Sequence, residues 1–325
     1  MTDTLLEVRR LKKYFKTPNG LLHAVDDVSF SIPRGTTLGV VGESGCGKST
    51  LGRLILHLLD LTDGSIIFDG RDITNLSKQE QKDIRQYMQM IFQDPYSSIN
   101  PRMTIGEIIG EPLIIYGKCK NVAERAEKVN SLMETVGIAQ RLINAYPHEL
   151  DGGRRQRVGI ARALALNPKF VVCDEPVSAL DVSIRAQILN LMQDLQEKLG
   201  LTYIFITHDL SVVKHISDEI VVMYLGKIVE KCESKELFST QYHPYTKALL
   251  SAIPRPKIGG RKGRIILKGE ISSPINPEEK CRFFPRCVYV KEKCGQNQPE
   301  LREVSRGHFV ACHYHEEING VAKGD

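Results

Sequence analysis

Gly42-Glu43-Ser44-Gly45-Cys46-Gly47-Lys48-Ser49-Thr50 matches the pattern G-x-x-x-x-G-K-[ST], and the rest of the chain is read outward from it. Thr37-Leu38-Gly39-Val40-Val41 before it is a short apolar run suited to a buried strand. Leu51-Gly52-Arg53-Leu54-Ile55-Leu56 after it repeats apolar residues at helical spacing. A loop between a strand and a helix N-terminus points several backbone N–H groups at one spot, where the helix dipole also favours negative charge. Its glycines let the backbone bend around an anion with no Cβ in the way. In such a loop Lys48 reaches the β- and γ-phosphates of a nucleotide and the Ser49 hydroxyl ligates Mg²⁺. A glycine-rich turn matching by chance is the alternative, and the flanking strand and helix argue against it.

Downstream, Lys169-Phe170-Val171-Val172-Cys173-Asp174-Glu175-Pro176 is an apolar strand that delivers two carboxylates at its C-terminal end, where open parallel sheets bind ligands. One carboxylate there holds Mg²⁺ through water and its neighbour orients an attacking water. Thr202-Tyr203-Ile204-Phe205-Ile206-Thr207-His208 is a further strand, ending in a histidine placed to touch the γ-phosphate. Ile184, Ile188, Leu191, Met192, Leu195 and Leu199 form the apolar stripe of a helix between these strands.

Residues 5 to 41 read as antiparallel strands around a Thr17-Pro18-Asn19-Gly20 turn, and Asp69-Gly70 marks a hairpin. Tyr14 and Phe15 close the first strand as adjacent aromatics, either a platform for a nucleotide base or ordinary core. Met88-Gln89-Met90-Ile91-Phe92-Gln93-Asp94-Pro95 reads as a strand that stops at the proline. From about residue 96 to 150 the pattern turns helical, including Ala123 to Val136.

The chain's 325 residues suffice for one large α/β domain or two smaller ones, and a net charge of +5 is modest. No apolar run is long enough for a membrane helix, and the N-terminus lacks a signal-peptide pattern, so a cytosolic protein is expected. Arg255, Lys257, Arg261, Lys262 and Arg264 form a basic run that suits a solvated linker better than a nucleic-acid contact. Cys46, Cys119, Cys173 and Cys232 are scattered, whereas Cys281, Cys287, Cys294 and Cys312 are bunched. Four thiolates in a region of little regular structure suit a tetrahedral Zn²⁺ or an iron–sulfur cluster, and their spacing is wider than the common Cys-x-x-Cys zinc ribbon. His308, His313 and His315 nearby read as solvated or outer groups rather than ligands.

With these motifs in order, residues 5 to 250 resemble the ATP-binding cassette family, the motor subunits of ABC transporters. The resemblance implies an α/β fold: an ABC-type P-loop NTPase core, a RecA-like lobe with an antiparallel β subdomain, carrying a helical subdomain and a small cysteine-rich C-terminal extension. It divides the chain into a core of residues 1–95 and 151–240, a helical subdomain of 96–150 and an extension of 241–325. Gly42 to Thr50 resembles Walker A; Gln93 resembles the Q-loop glutamine that completes the Mg²⁺ shell. Asp174 resembles the Walker B aspartate, Glu175 the catalytic glutamate, Ser178-Ala179-Leu180-Asp181 the D-loop, and His208 the switch histidine. The family's adenine-stacking aromatic precedes its Ala-Val step by nine residues, which from Ala24-Val25 selects Phe15, with Tyr14 in reserve. His243-Pro244-Tyr245 and the following residues resemble the oligopeptide and dipeptide importer branch, in which the four cysteines resemble ligands of a [4Fe–4S] cluster, favoured over Zn²⁺.

The resemblance implies that ATP and Mg²⁺ are bound, and that two ATPase subunits, identical or related, sandwich two ATP molecules head to tail. It implies further partners as well: two transmembrane permease subunits and, indirectly, a peptide-binding protein, with this chain peripheral on the cytoplasmic face of the membrane. No nucleic acid is expected, the alternative being a soluble cassette ATPase acting on nucleic acid or ribosomes. One departure stands out in Leu150-Asp151-Gly152-Gly153-Arg154-Arg155-Gln156. Asp151 replaces the signature serine, and Arg154 replaces the frequent glutamine. The serine and the N–H groups of Gly152 and Gly153 would meet a partner's γ-phosphate, which a carboxylate repels. Arg154 or Arg155 would offset part of that charge, and Asp caps a helix as well as Ser does.

Overall fold

The computed structural model describes residues 3–94, 96, 98–253, 265–267, 269 and 273–320; Pro95 and the basic run at 255–264 lie outside them. The chain gathers into two compact units, one of residues 1–3, 33–36 and 75–205, the other of 4–32, 37–74 and 206–325.

The second unit opens with β1 (Thr4–Thr17) and β2 (Gly20–Pro33), where Val28, Phe30 and Ile32 are buried and Ser29 is exposed, as a half-buried strand requires. It continues with β3 (Thr37–Val41), buried throughout, and α1 (Lys48–Ile55). β4 (Asp63–Phe68) and β5 (Arg71–Asp72) follow, joined by Asp69 and Gly70, both at positive φ. β2, β1, β4 and β5 form a sheet in that order, β4 antiparallel to both β1 and β5; β3 stands outside it, so the antiparallel expectation for residues 5 to 41 fails at 37 to 41, where the strand instead feeds the phosphate loop.

The first unit holds α2 (Lys78–Arg85), β6 (Met88–Ile91), α3 (Ile105–Ile115), α4 (Val122–Thr135), α5 (Gly152–Leu164), β7 (Phe170–Asp174) and α6 (Val182–Leu199). Ser77 and Thr104 start α2 and α3 through capping boxes with Glu80 and Glu107. Asn121 and Asp181 cap α4 and α6, each satisfying an otherwise orphaned N–H. β6 and β7 pair in parallel, Met88 opposite Phe170, which carries the chain ends after Ile91 and Asp174 to the same edge.

β8 (Thr202–Thr207) leads back into the second unit. There α7 (Leu210–Ile216), β9 (Glu219–Tyr224), β10 (Lys227–Glu233), α8 (Ser234–Ser239) and α9 (Pro244–Ser251) precede the cysteine-rich segment. That segment contributes α10 (Glu292–Gln296), β11 (Arg302–Ser305), β12 (His308–Val310) and α11 (His315–Asn319). The strands of this unit run in the order β11-β12-β10-β9-β3, so the extension lengthens the sheet that presents the phosphate loop. β9 pairs in parallel with β3, and β10 antiparallel with both β9 and β12. Among the described residues no helix is long and apolar enough to cross a membrane.

Candidate nucleotide site

The phosphate loop leaves buried β3 and enters α1 at Lys48. Gly42 and Gly47 are required by close approach as well as by conformation. A Cβ on Gly42 would lie 2.2 Å from the Met223 carbonyl oxygen, and one on Gly47, at φ +105°, would lie 2.1 Å from that of Ala24. Ser44 and Gly45 face solvent, while Cys46 is buried, which raises its thiol pKa, and its carbonyl accepts from Gly226 N–H. Lys48 is 5% exposed, and its Nζ curls over the loop to donate to the Gly42 carbonyl at 2.8 Å and the Glu43 carbonyl at 2.9 Å. Ser49 and Thr50 are half-buried in the first turn of α1.

At the end of β1, Tyr14 and Phe15 point to opposite faces, as neighbours on a strand must. The Tyr14 ring stacks on His23 with centroids 3.8 Å apart, and its hydroxyl donates to Asp26 at 2.6 Å. Burial raises the Tyr14 pKa further than that bond alone would. Burial works against the Asp26 charge, but the Tyr14 hydroxyl, Lys227 and Arg282 outweigh it and hold the carboxyl below its usual range. Tyr14 is thus committed to its own unit, whereas Phe15 is half-buried with the Lys13 ammonium 5.1 Å from its ring centre. His208 is exposed between β8 and α7, next to Asp209, which caps α7.

In the other unit, the edge shared by β6 and β7 brings Gln93 to Glu175, Nε2 donating to Oε2 at 3.2 Å. Asp174 is buried at the end of β7, and Glu175 adopts φ +46°, a left-handed backbone that non-glycine residues seldom take. The Glu175 carbonyl accepts from Ser178 N–H and Oγ, which turns the chain toward α6. At the signature, Asp151 is the N-cap of α5, accepting from Arg154 N–H at 2.7 Å. Its charge is met by the Arg154 guanidinium at 3.3 Å, not by Arg155. Arg155 is buried, donates to the Pro147 carbonyl and lies 3.7 Å from the Tyr96 ring centre. Gly152 is half-buried, and a Cβ on Gly153 would lie 2.6 Å from Ile184, so α5 and α6 pack closely there.

In the extension, Cys281, Cys287, Cys294 and Cys312 are free thiols lining one small cavity with Phe283, Phe284, Tyr289 and His313. Burial pushes the Cys281 thiol up to about 12 and that of Cys312 to about 11. The donor set suits a soft metal centre, yet among the described residues no three His, Cys, Asp or Glu side chains stand close enough together to hold an ion. His308, expected to be solvated or an outer group, is instead fully buried, its two ring nitrogens each 2.8 Å from Glu230 and Glu236. Burial opposes its proton, but the two carboxylates prevail and raise its pKa. Arg282, Arg286 and Tyr245, which carry no motif role in the sequence, also reach the nucleotide half of this unit. Their only sequence signal was position, the arginines beside cysteines and the tyrosine in His-Pro-Tyr.

Comparison with known proteins agrees with this geometry. A family model described as ABC transporter matches residues 25–178, and one described as oligopeptide/dipeptide transporter, C-terminal region, matches residues 229–294. The chain is 51% identical over 321 residues to the oligopeptide transport ATP-binding protein AppF of Bacillus subtilis (strain 168), covering 96% of this chain and 97% of that one. It is 52% identical over 314 residues to the dipeptide transport ATP-binding protein DppF of Haemophilus influenzae, covering 95% and 96%. Among solved structures, the dimeric post-hydrolysis state of the ATP-binding cassette MJ0796 bound to ADP and Pi superposes with a TM-score of 0.65 at 29% identity. That match covers 71% of this chain and 99% of that one.

Proposed function

Because the chain belongs to the ATP-binding proteins of ABC transporters, in the oligopeptide/dipeptide branch, we propose that it hydrolyses ATP to power import of short peptides. The observation that carries this reading is the union, in one compact unit, of a phosphate loop with a His-Pro-Tyr extension. Nothing supports the nucleic-acid alternative, whose main feature, the basic run at 255–264, lies outside the described residues. The partners are a second ATPase subunit, two permease subunits and, through them, a peptide-binding protein. The chain works peripherally on the cytoplasmic face of the membrane.

Residue roles follow from the motif positions. The loop's backbone N–H groups from Gly42 to Thr50, apart from that of Glu43, which donates to Tyr245 Oη, and the Lys48 ammonium would receive the phosphates; Ser49 and Gln93 would ligate Mg²⁺ and Asp174 would hold it through water. Phe15 stacks on the adenine, because Tyr14 is already engaged by His23 and Asp26. Glu175 polarises the attacking water and His208 contacts the γ-phosphate, so catalysis is positioning and charge neutralisation, not covalent chemistry. Asp151, Gly152 and Gly153 face the nucleotide of the partner subunit. The working division is a core of 1–95 and 151–240, a helical subdomain of 96–150 and an extension of 241–325. Cys281, Cys287, Cys294 and Cys312 would hold a [4Fe–4S] cluster, or Zn²⁺ in its place, a reading that rests on the family resemblance and on the four thiols lining one cavity, although among the described residues no three potential ligands stand close enough together to hold an ion. Such a group would fasten the extension together.

The test is to purify the chain with its permease and partner ATPase from membranes. ATP hydrolysis stimulated by peptide-loaded binding protein is the expected result; hydrolysis that responds to RNA or ribosomes instead would overturn the reading. Iron and sulfide content of the same sample decides the cluster, since stoichiometric zinc without iron would refute it.

A further inference from the structure

Arg286 lies in the short helical turn Phe284–Arg286, one residue before Cys287. Its side chain is 8% exposed and grips Glu43, the residue after the first glycine of the phosphate loop. Nη1 donates to Oε2 at 2.6 Å and Nη2 to Oε1 at 3.1 Å. A two-bond fork of this kind fixes the orientation of a carboxylate as well as its distance. The backbone of the same residue is held separately, Glu43 N–H donating to Tyr245 Oη at 2.8 Å. Tyr245 is fully buried, with its ring against Tyr224 and Phe283. Both the side chain and the main chain of one loop residue are therefore anchored in the C-terminal part of the protein.

A second arginine acts at the other end of this half-site. Arg282, next to Cys281, pairs with Asp26 and donates to the Leu225 carbonyl, and Asp26 in turn accepts from Tyr14 Oη. Between the two arginines, Phe283 meets Tyr224 edge to face. The stretch bounded by Cys281 and Cys287 thus touches the aromatic end of the half-site through Arg282 and its phosphate end through Arg286.

Charge decides what Arg286 contributes. Glu43 belongs to a loop that must receive a polyanion, and an unneutralised carboxylate there opposes phosphate by Coulomb repulsion. The Arg286 fork cancels that charge and keeps the carboxylate turned to one side. It also orders the loop beforehand, so that less conformational entropy is lost when nucleotide binds.

We infer that Arg286 is a positioning residue for nucleotide binding, through which the cysteine-rich extension fixes and neutralises Glu43 in the phosphate loop. This rests on the reading of that loop as an ATP site. It is tested on the full chain by titrating a fluorescent ATP analogue with Mg²⁺, and on the assembled transporter by steady-state hydrolysis. Arg286→Gln is expected to weaken nucleotide binding about tenfold, the scale of one charge-assisted contact, raising KM with little change in kcat. Adding Glu43→Gln to Arg286→Gln removes the charge that needs cancelling and is expected to restore most of the affinity. Arg302→Gln, at the exposed Arg302–Glu300 pair, serves as a control and leaves affinity unchanged. Parental affinity in Arg286→Gln would overturn the inference. So would a loss that the double variant does not rescue, because that is what a merely structural arginine produces. If the parent chain itself binds no ATP, the site reading fails and takes this inference with it.

Discussion

The phosphate loop and the signature end of α5 both sit at helix N-termini, yet they are secured in opposite ways. Around the loop every charged group is buried or partnered from afar: Lys48 caps its own carbonyls, and Glu43 is held by Arg286 and Tyr245. At the signature, Asp151 is exposed and its partner Arg154 comes from the same helix. An exposed pair such as Asp151–Arg154 contributes little stability and rearranges at little cost. In the same unit, the exposed Gln93 amide donates to the half-buried Glu175 carboxylate at 3.2 Å. The difference separates a loop braced by distant elements from a signature capped within its own helix.

The largest test of that contrast is Glu175→Gln. It leaves the braced loop untouched, so nucleotide affinity should hold while turnover falls by roughly a hundred- to ten-thousandfold, the range for removing a general base. Equal losses in binding and turnover would erase the distinction between the two regions. Next is Gly47→Ala, which drives a Cβ onto the Ala24 carbonyl in a left-handed backbone and should cost about 3 kcal/mol of stability along with nucleotide binding. Thermal melting with and without ATP checks it.

Asp151→Ser is smaller. Two unit charges about 4 Å apart repel by about 4 kcal/mol at the effective dielectric near a surface, but exposure and the Arg154 pair screen most of that. ATP-driven association with the partner ATPase should therefore strengthen several-fold, not by orders of magnitude, and unchanged association would remove Asp151 as a weakness of the composite site. The smallest effect concerns the clasp of His308 on Glu230 and Glu236. The folded pKa is raised, so its stabilisation is complete below the unfolded value of about 6.5 and disappears as pH rises through the folded value. Melting of the full chain should drop by roughly a few degrees between about pH 6 and about pH 9, and His308→Gln should flatten that dependence.

What the sequence disclosed was mostly local. The strand, loop and helix around Lys48 were legible because a glycine pattern joins them within one short stretch, and β7 because it is an apolar run. The Asp69-Gly70 hairpin was legible because its turn chemistry is written in two residues. The brace on Glu43 was not, since Arg286 stands 243 positions away and no local period links them. His308 was misjudged for the same reason: its burial depends on carboxylates from β10 and α8. The signature left Arg154 and Arg155 as equal candidates, because only packing against Tyr96 and Pro147 turns Arg155 inward. Tyr14 and Phe15 are alike as adjacent aromatics in the sequence, and only contact with His23 and Asp26 shows which is engaged. Spacing alone could not tell that four cysteines share a cavity.

The curled Lys48 has a consequence for its reactivity toward amine reagents. Its amine is shielded, with two donors spent on carbonyls and the Cys46 sulfur 3.7 Å away. With so little of its side chain exposed, Lys48 is expected to react with acylating or pyridoxylating reagents far more slowly than the surface lysines of the same chain.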